Sequence, residues 1–183
     1  TLHGAGREDI DAVMIGSGRP FIIEVSEPRR RQADLPFLTE EINRDAGGRV
    51  SVSDLRWTER GEVETLKTHK GHKKYRILVD IDGSIPEETL SAAADQLTGA
   101  TIHQRTPARV AHRRADKIRE RGVLDFRCAG KEENLFAFEV SGEAGLYIKE
   151  LISGDQGRTT PSLSEILGTP ARVVQLDVVD VQG

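Results

Sequence analysis

Apolar residues recur along this chain in short runs parted by turn formers, and the runs follow two different periods. Phe21, Ile22, Ile23 and Val25 stand between a Gly-Ser-Gly turn and Pro28, which predicts a strand over 21–25. Leu35, Leu38 and Ile42 fall on one helical face, with an exit at 45–48, so 36–46 predicts a short helix. Residues 50–57 alternate and predict a strand. The polar stretch 61–74 predicts a loop or hairpin tip leaving the core, with Lys67, Lys70, Lys73 and Lys74 near its end. Beyond it the apolar pattern predicts strands over 75–83, 100–105, 123–128, 135–141 and 173–181. Proline and acidic residues opening a run of good helix formers predict a helix over 86–97, with shorter helices over 145–152 and 162–167. Adjacent strands mixed with a few separated helices, and no internal repeat, predict an α+β fold with a largely antiparallel sheet.

Composition narrows the class. A chain of 183 residues, 37% hydrophobic and 31% charged, is long enough to bury a core as one domain or two joined subdomains. Cys128 is the single cysteine, which rules out an intramolecular disulfide and a cysteine-based metal cluster and points to a reducing compartment. No run approaches the roughly 18 to 20 apolar residues of a membrane span, and the N-terminus lacks a signal-peptide pattern, so a cytoplasmic protein is expected. The net charge of -4 argues weakly against a nucleic-acid coat but says nothing about local patches. Those patches are pronounced. Arg105, Arg109, Arg113, Arg114, Lys117, Arg119 and Arg121 outnumber Asp116 and Glu120 in one short region. With Arg29 to Arg31 and the lysines before Tyr75, they make a phosphate-facing surface and a solvated helix comparable readings.

GREDID at 6–11 places Arg7, Glu8, Asp9 and Asp11 in six positions. Three readings stand: turn caps on a solvated face, an oxygen-ligand cation site, or one carboxylate held for nucleophilic or general-base work. The cation reading lacks a calcium-loop spacing and a nearby histidine, and His3, His69, His72, His103 and His112 show no metal-ligand motif. Lys149, set among Leu146, Ile148 and Leu151, is either a snorkelling side chain or a counter-charge for the acidic turn. Tyr75 beside Lys73 and Lys74 is either core or an aromatic face for a nucleobase. GDQGR at 154–158 offers backbone amides and Arg158 to a phosphate, in a segment unlike a nucleotide loop.

Taken together and in order, GREDIDAVMIGSGRPFIIEV, HKKYRILV, TPARVAHRRADKIRERGV, GLYIKELISGDQGRTTPSLSEILG and LDVVDV resemble the catalytic domain of the archaeal and eukaryotic tRNA pseudouridine synthases that modify adjacent uridines of the T loop. The resemblance extends over nearly the whole chain. It implies a pseudouridine synthase-like fold and one partial catalytic domain over 1–183, with an N-terminal RNA-binding region and an earlier part of the catalytic domain lying upstream. It also implies that Asp9 is the essential aspartate, Tyr75 the tyrosine that stacks on the target base, and Lys149 the basic partner of Asp9. Arg7 is implied to organise the aspartate loop or nearby RNA. Lys73, Lys74, Arg109, Arg113, Arg114 and Arg158 are expected to meet tRNA. After the acidic residue that follows GRED, the family pattern continues with Val and Arg. This chain has Ala12 and Val13 there and lacks that positive side chain.

The implied reaction converts uridine to pseudouridine in the T arm of tRNA with no cofactor and no catalytic metal. Two other classes are weighed beside it: a non-catalytic tRNA-binding fragment of the same fold, and a metal-dependent phosphodiesterase built on Glu8, Asp9 and Asp11.

Overall fold

The computed structural model describes residues 1–68 and 71–181, and it divides into two compact units. The first comprises Thr1–Ala5 and Phe21–Thr68; the second comprises Gly6–Pro20 and the described residues after 70. His69 and Lys70, expected in the polar loop, lie outside the described residues.

In the first unit, β1 (Leu2–Gly4) pairs antiparallel with β3 (Phe21–Ile23). Helix α1 (Leu35–Ala46) starts where Asp34 accepts a hydrogen bond from the Phe37 amide at 3.1 Å. It stops at Gly47, whose φ of 57° suits a residue without a β-carbon. The strand expected over 50–57 does not form. Both backbone polar groups of Val52 are taken by the Asn43 side chain, at 2.7 Å and 2.9 Å, so a side chain on α1 substitutes for the neighbouring strand. The loop expected over 61–74 is also replaced: α2 runs Arg60–Thr68, with Val63 and Leu66 half-buried one turn apart. Two apolar positions at that spacing are a thin stripe that polar composition conceals.

The second unit holds a seven-stranded sheet in the order β2 (Val13–Met14), β9 (Ala171–Val181), β4 (Lys73–Ile81), β7 (Leu135–Gly142), β6 (Ile118–Glu132), β5 (Thr101–Arg105), β8 (Thr159–Thr160). Every pairing is antiparallel except β2 with β9, so the expected α+β class with a mainly antiparallel sheet is observed. The basic segment contains a 3-10 turn over Ala108–Arg113, followed by the start of β6, rather than one continuous helix. Helices α3 (Glu87–Leu97), α4 (Ile148–Ser153) and α5 (Leu163–Leu167) cover the core. Leu90, Ala93, Ala94 and Leu97 recur at helical spacing and form the buried face of α3.

Strand β4 supplies the centre of this core. Tyr75, Ile77, Val79 and Ile81 alternate inward, and strict alternation carries Lys73 onto the same buried face. Lys73 is therefore 8% exposed and leaves the set of cations expected to face phosphate. Across the core, the Phe126 and Phe138 rings meet at 5.4 Å between centroids, tilted by 49°. Phe138→Ala is expected to lower the unfolding free energy by about 3–5 kcal/mol in urea denaturation, whereas Val174→Ala on the exposed side of β9 should cost less than about 0.5 kcal/mol.

Candidate active site

The acidic turn lies against one edge of the sheet because the residues after it are tied to β9. Val13 and Met14 pair with Asp177 and Val178, and the Ile15 amide donates to Val178 O at 3.0 Å. Gly16 passes so close that a β-carbon there would fall 1.5 Å from Val179 O, so the backbone reaches this edge only with glycine. At the other end, Gly6 has φ 78° and would bring a β-carbon to 3.3 Å from Lys73 Nζ. Between these anchors the Ala12 amide donates to Asp9 O at 3.1 Å and closes the turn.

The three acids are met by cations from different parts of the fold, with Lys149 lying between Asp9 and Asp11. Glu8 accepts from Lys73, from Arg19 at 3.0 Å, and from the Tyr75 hydroxyl at 3.4 Å. Asp9 accepts from Arg109 NH1 at 2.8 Å, with Lys149 Nζ at 4.0 Å from its other oxygen. Asp11 takes Lys149 Nζ on both oxygens, at 2.6 Å and 2.9 Å, and that ammonium holds its carboxyl below the ordinary range. Among the described residues no group of three or more metal-ligating side chains converges.

Several residues thus have partners that differ from the expected ones. Lys149, expected to pair with Asp9, forms an ion pair with it at 4.0 Å but gives its hydrogen bonds to Asp11, while Arg109 occupies the nearer position on Asp9. The reason is topological, since the turn before β6 brings Arg109 to the acidic loop from a point 100 residues away in sequence. Tyr75 is 3% exposed, its ring part of the core, and burial followed by the nearby Glu8 charge drives its hydroxyl strongly toward the protonated form. Lys74 pairs with Glu139 at 3.2 Å. Arg158 braces Thr106 O at 2.7 Å and Asp116 at 3.2 Å, so its guanidinium is engaged within the fold. Arg114 donates to the Tyr147 hydroxyl at 2.9 Å, and Arg7 and Arg113 are exposed.

Three supporting residues escaped the sequence reading. Arg19 holds Glu8. Glu150, 4% exposed, binds Arg109 through both carboxylate oxygens, at 2.6 Å and 3.2 Å. A carboxylate in the apolar run LYIKELI was the available signal. Burial works against the Arg109 charge, but the hydrogen bonds to Glu150 and Asp9 outweigh it and keep the guanidinium firmly protonated. Gln104, fully buried, grips the backbone of Tyr147 with both ends of its amide, at 2.8 Å and 2.9 Å. It thereby sets the start of α4 and the direction in which Lys149 and Glu150 leave the helix.

A profile described as "Pus10, C-terminal" matches residues 1–182. The chain belongs to the Pus10 C-terminal family. It is 51% identical over 182 residues to the tRNA pseudouridine synthase Pus10 of Methanothrix thermoacetophila, covering 100% of this chain and 40% of that protein. It is 50% identical to the Halorubrum lacusprofundi protein of the same name, over 100% of this chain and 43% of that one. It is 49% identical to the Archaeoglobus fulgidus protein of the same name, over 98% and 50%. The chain therefore spans 40–50% of the length of these three curated relatives. Among solved structures it is similar to a chain of a Cbf5-Nop10-Gar1 complex, with a TM-score of 0.50 and 27% identity over 60% of this chain and 30% of that one. In this Pus10 C-terminal chain, Gln104→Leu should leave the Tyr147 amide without an acceptor, the carbonyl keeping its bond from the Leu151 amide, and cost about 1–3 kcal/mol in thermal or urea unfolding, against less than about 1 kcal/mol for Gln96→Leu on the exposed side of α3.

Proposed function

We propose that this chain is the catalytic portion of a tRNA pseudouridine synthase, an isomerase that converts uridine to pseudouridine in the T loop. The observation that carries the reading is Asp9: one carboxylate of an acidic cluster, 28% exposed on its side chain, held at 2.8 Å by a guanidinium that is itself locked. Membership of the Pus10 C-terminal family supports it. In the reaction, the N1–C1′ bond of uridine breaks, the retained uracil turns, C5 bonds to C1′, and the C5 proton is lost while N1 gains one. The target nucleotide must leave its stack first, at a cost of a few kcal/mol that RNA binding offsets.

Asp9 acts at the ribose, as a nucleophile at C1′ or as a base on a glycal-type path, and Arg109 keeps it ionised and directed. Lys149 adds positive charge nearby. Tyr75 forms the protonated floor beneath the turn, with its hydroxyl on Glu8. Arg7, Arg113 and Arg114 are exposed cations suited to tRNA phosphates, which makes binding salt-sensitive. The chemistry needs no redox step, and the reading assigns no cofactor or metal. The partner is the T arm of tRNA, with an upstream RNA-binding domain in the longer protein and a cytoplasmic location.

A second reading, a tRNA-binding module without catalysis, is favoured by one fact: the Tyr75 ring, expected to stack on the target base, is 3% exposed. Asp9→Asn separates the two. On the catalytic reading it lowers pseudouridine formation on the order of 10^4-fold or more, scored by base-specific chemical labelling of tRNA, with RNA affinity within a few-fold of wild type. Equal product from both proteins would remove Asp9 from catalysis, and no product from either would favour the binding module.

A further inference from the structure

Glu150 is a carboxylate at the third residue, in the first turn, of a short helix whose Ile148, Leu151 and Ile152 are all buried core residues. A charge in that setting is costly unless both oxygens are paired. Glu150 meets this demand with one partner: Arg109 Nε donates to one oxygen at 2.6 Å and NH2 to the other at 3.2 Å. A two-point fork fixes a planar guanidinium in direction as well as distance. The backbone that carries Arg109 is fixed too. The Ala108 amide donates to Asp155 at 2.9 Å, and Val110 is buried two residues on. What is left facing outward from this doubly held group is its NH1 edge, and that edge donates to Asp9.

Lys149 offers a contrast from the adjacent position of the same helix. Its partner Asp11 is 62% exposed on its side chain, and a single ammonium on a flexible stem has no fork. Water and salt screen that pair, whereas the Glu150 carboxylate is sealed from both.

We propose that Glu150 is a positioning residue that acts through Arg109. By clamping the guanidinium from the buried side, it holds Arg109 on one oxygen of Asp9, while Lys149 stands at 4.0 Å from the other. The inference rests on the reading of Asp9 as the reacting carboxylate. It adds that the aim is set from inside the core, three groups in line: Glu150, Arg109, Asp9. A reacting carboxylate displaced by about 1 Å loses on the order of 10^2 in rate, so the clamp acts on the chemical step and not on RNA affinity.

The test uses the full-length natural polypeptide with two readouts. In single-turnover pseudouridine formation, Glu150→Gln keeps the side-chain volume but puts an amide donor against a guanidinium donor. It should lower the rate at saturating tRNA about 10- to 100-fold with tRNA affinity within about twofold. In the Arg109→Met background the same substitution should lower the rate no further. The second readout is a thermal cycle of Glu150→Gln, Asp9→Asn and the double variant. The two carboxylates do not touch, so their coupling passes through Arg109, and the double Tm shift should differ from the sum of the single shifts by about 2 °C or more. In the Arg109→Met background the shifts should become additive. Rate losses that multiply, a change confined to tRNA affinity, or additive Tm shifts with Arg109 present would each overturn the proposal. Absence of product from the wild type would overturn the catalytic reading instead, and the thermal cycle would still decide whether the three groups act in line.

Discussion

Glu8, Asp9 and Asp11 bring three negative charges within four residues, and like charges that close tolerate a folded turn only if each finds its own cation. The structure meets that constraint by turning the three side chains apart. Glu8 takes Lys73, Arg19 and the Tyr75 hydroxyl; Asp9 takes Arg109; Asp11 takes Lys149. The cations come from the segment after β2 (Arg19), from β4, from the turn before β6 and from α4, so the second unit must be assembled before the turn is neutral. The division of labour among the acids is a by-product of this pairing. One carboxylate is shielded, one is widely exposed, and only Asp9 is both accessible and gripped by a guanidinium whose own partner is buried.

Holding that turn in place is a backbone task as much as an electrostatic one. Residues 13–17 add a short parallel strand and two further hydrogen bonds to the edge of β9, and the approach is close enough that Gly16 has no room for a side chain. From the opposite side, Gln104 fixes the Tyr147 backbone and so the first turn of α4. Neither device touches the three carboxylates. Both determine where its charged groups stand, which is why a buried neutral glutamine and a glycine rank beside the charged residues in organising the site.

Much of the architecture was legible in advance. The 86–97 helix, the central strands and the mixed order of elements all carried strong periodic signals, and buried apolar faces answer directly to period. The misreadings have specific causes. Residues 50–57 alternate like a strand, yet an isolated segment becomes one only if a neighbour supplies a ladder, and Asn43 supplied the bonds instead. Residues 60–68 look like a polar loop because only Val63 and Leu66 mark their inner face. Lys73 was judged by its charge, although it stands two residues before Tyr75 on a strand and alternation alone turned it inward.

The sequence by itself determined which chemistry was on offer: a GRED turn, a tyrosine after two lysines, a lysine in an apolar run, and the strand and helix periods that carry them. It could not say which cation meets which acid. Arg109 and Asp9 are separated by 100 residues, and Glu150 and Arg109 by 41. Pairings over such distances leave no local periodic trace, because they depend on strand order and on where two turns arrive in space. Only the tertiary structure decided that the Lys149 hydrogen bonds go to Asp11, that Lys73 goes inward to Glu8, and that Arg109 stands between Asp9 and the buried Glu150.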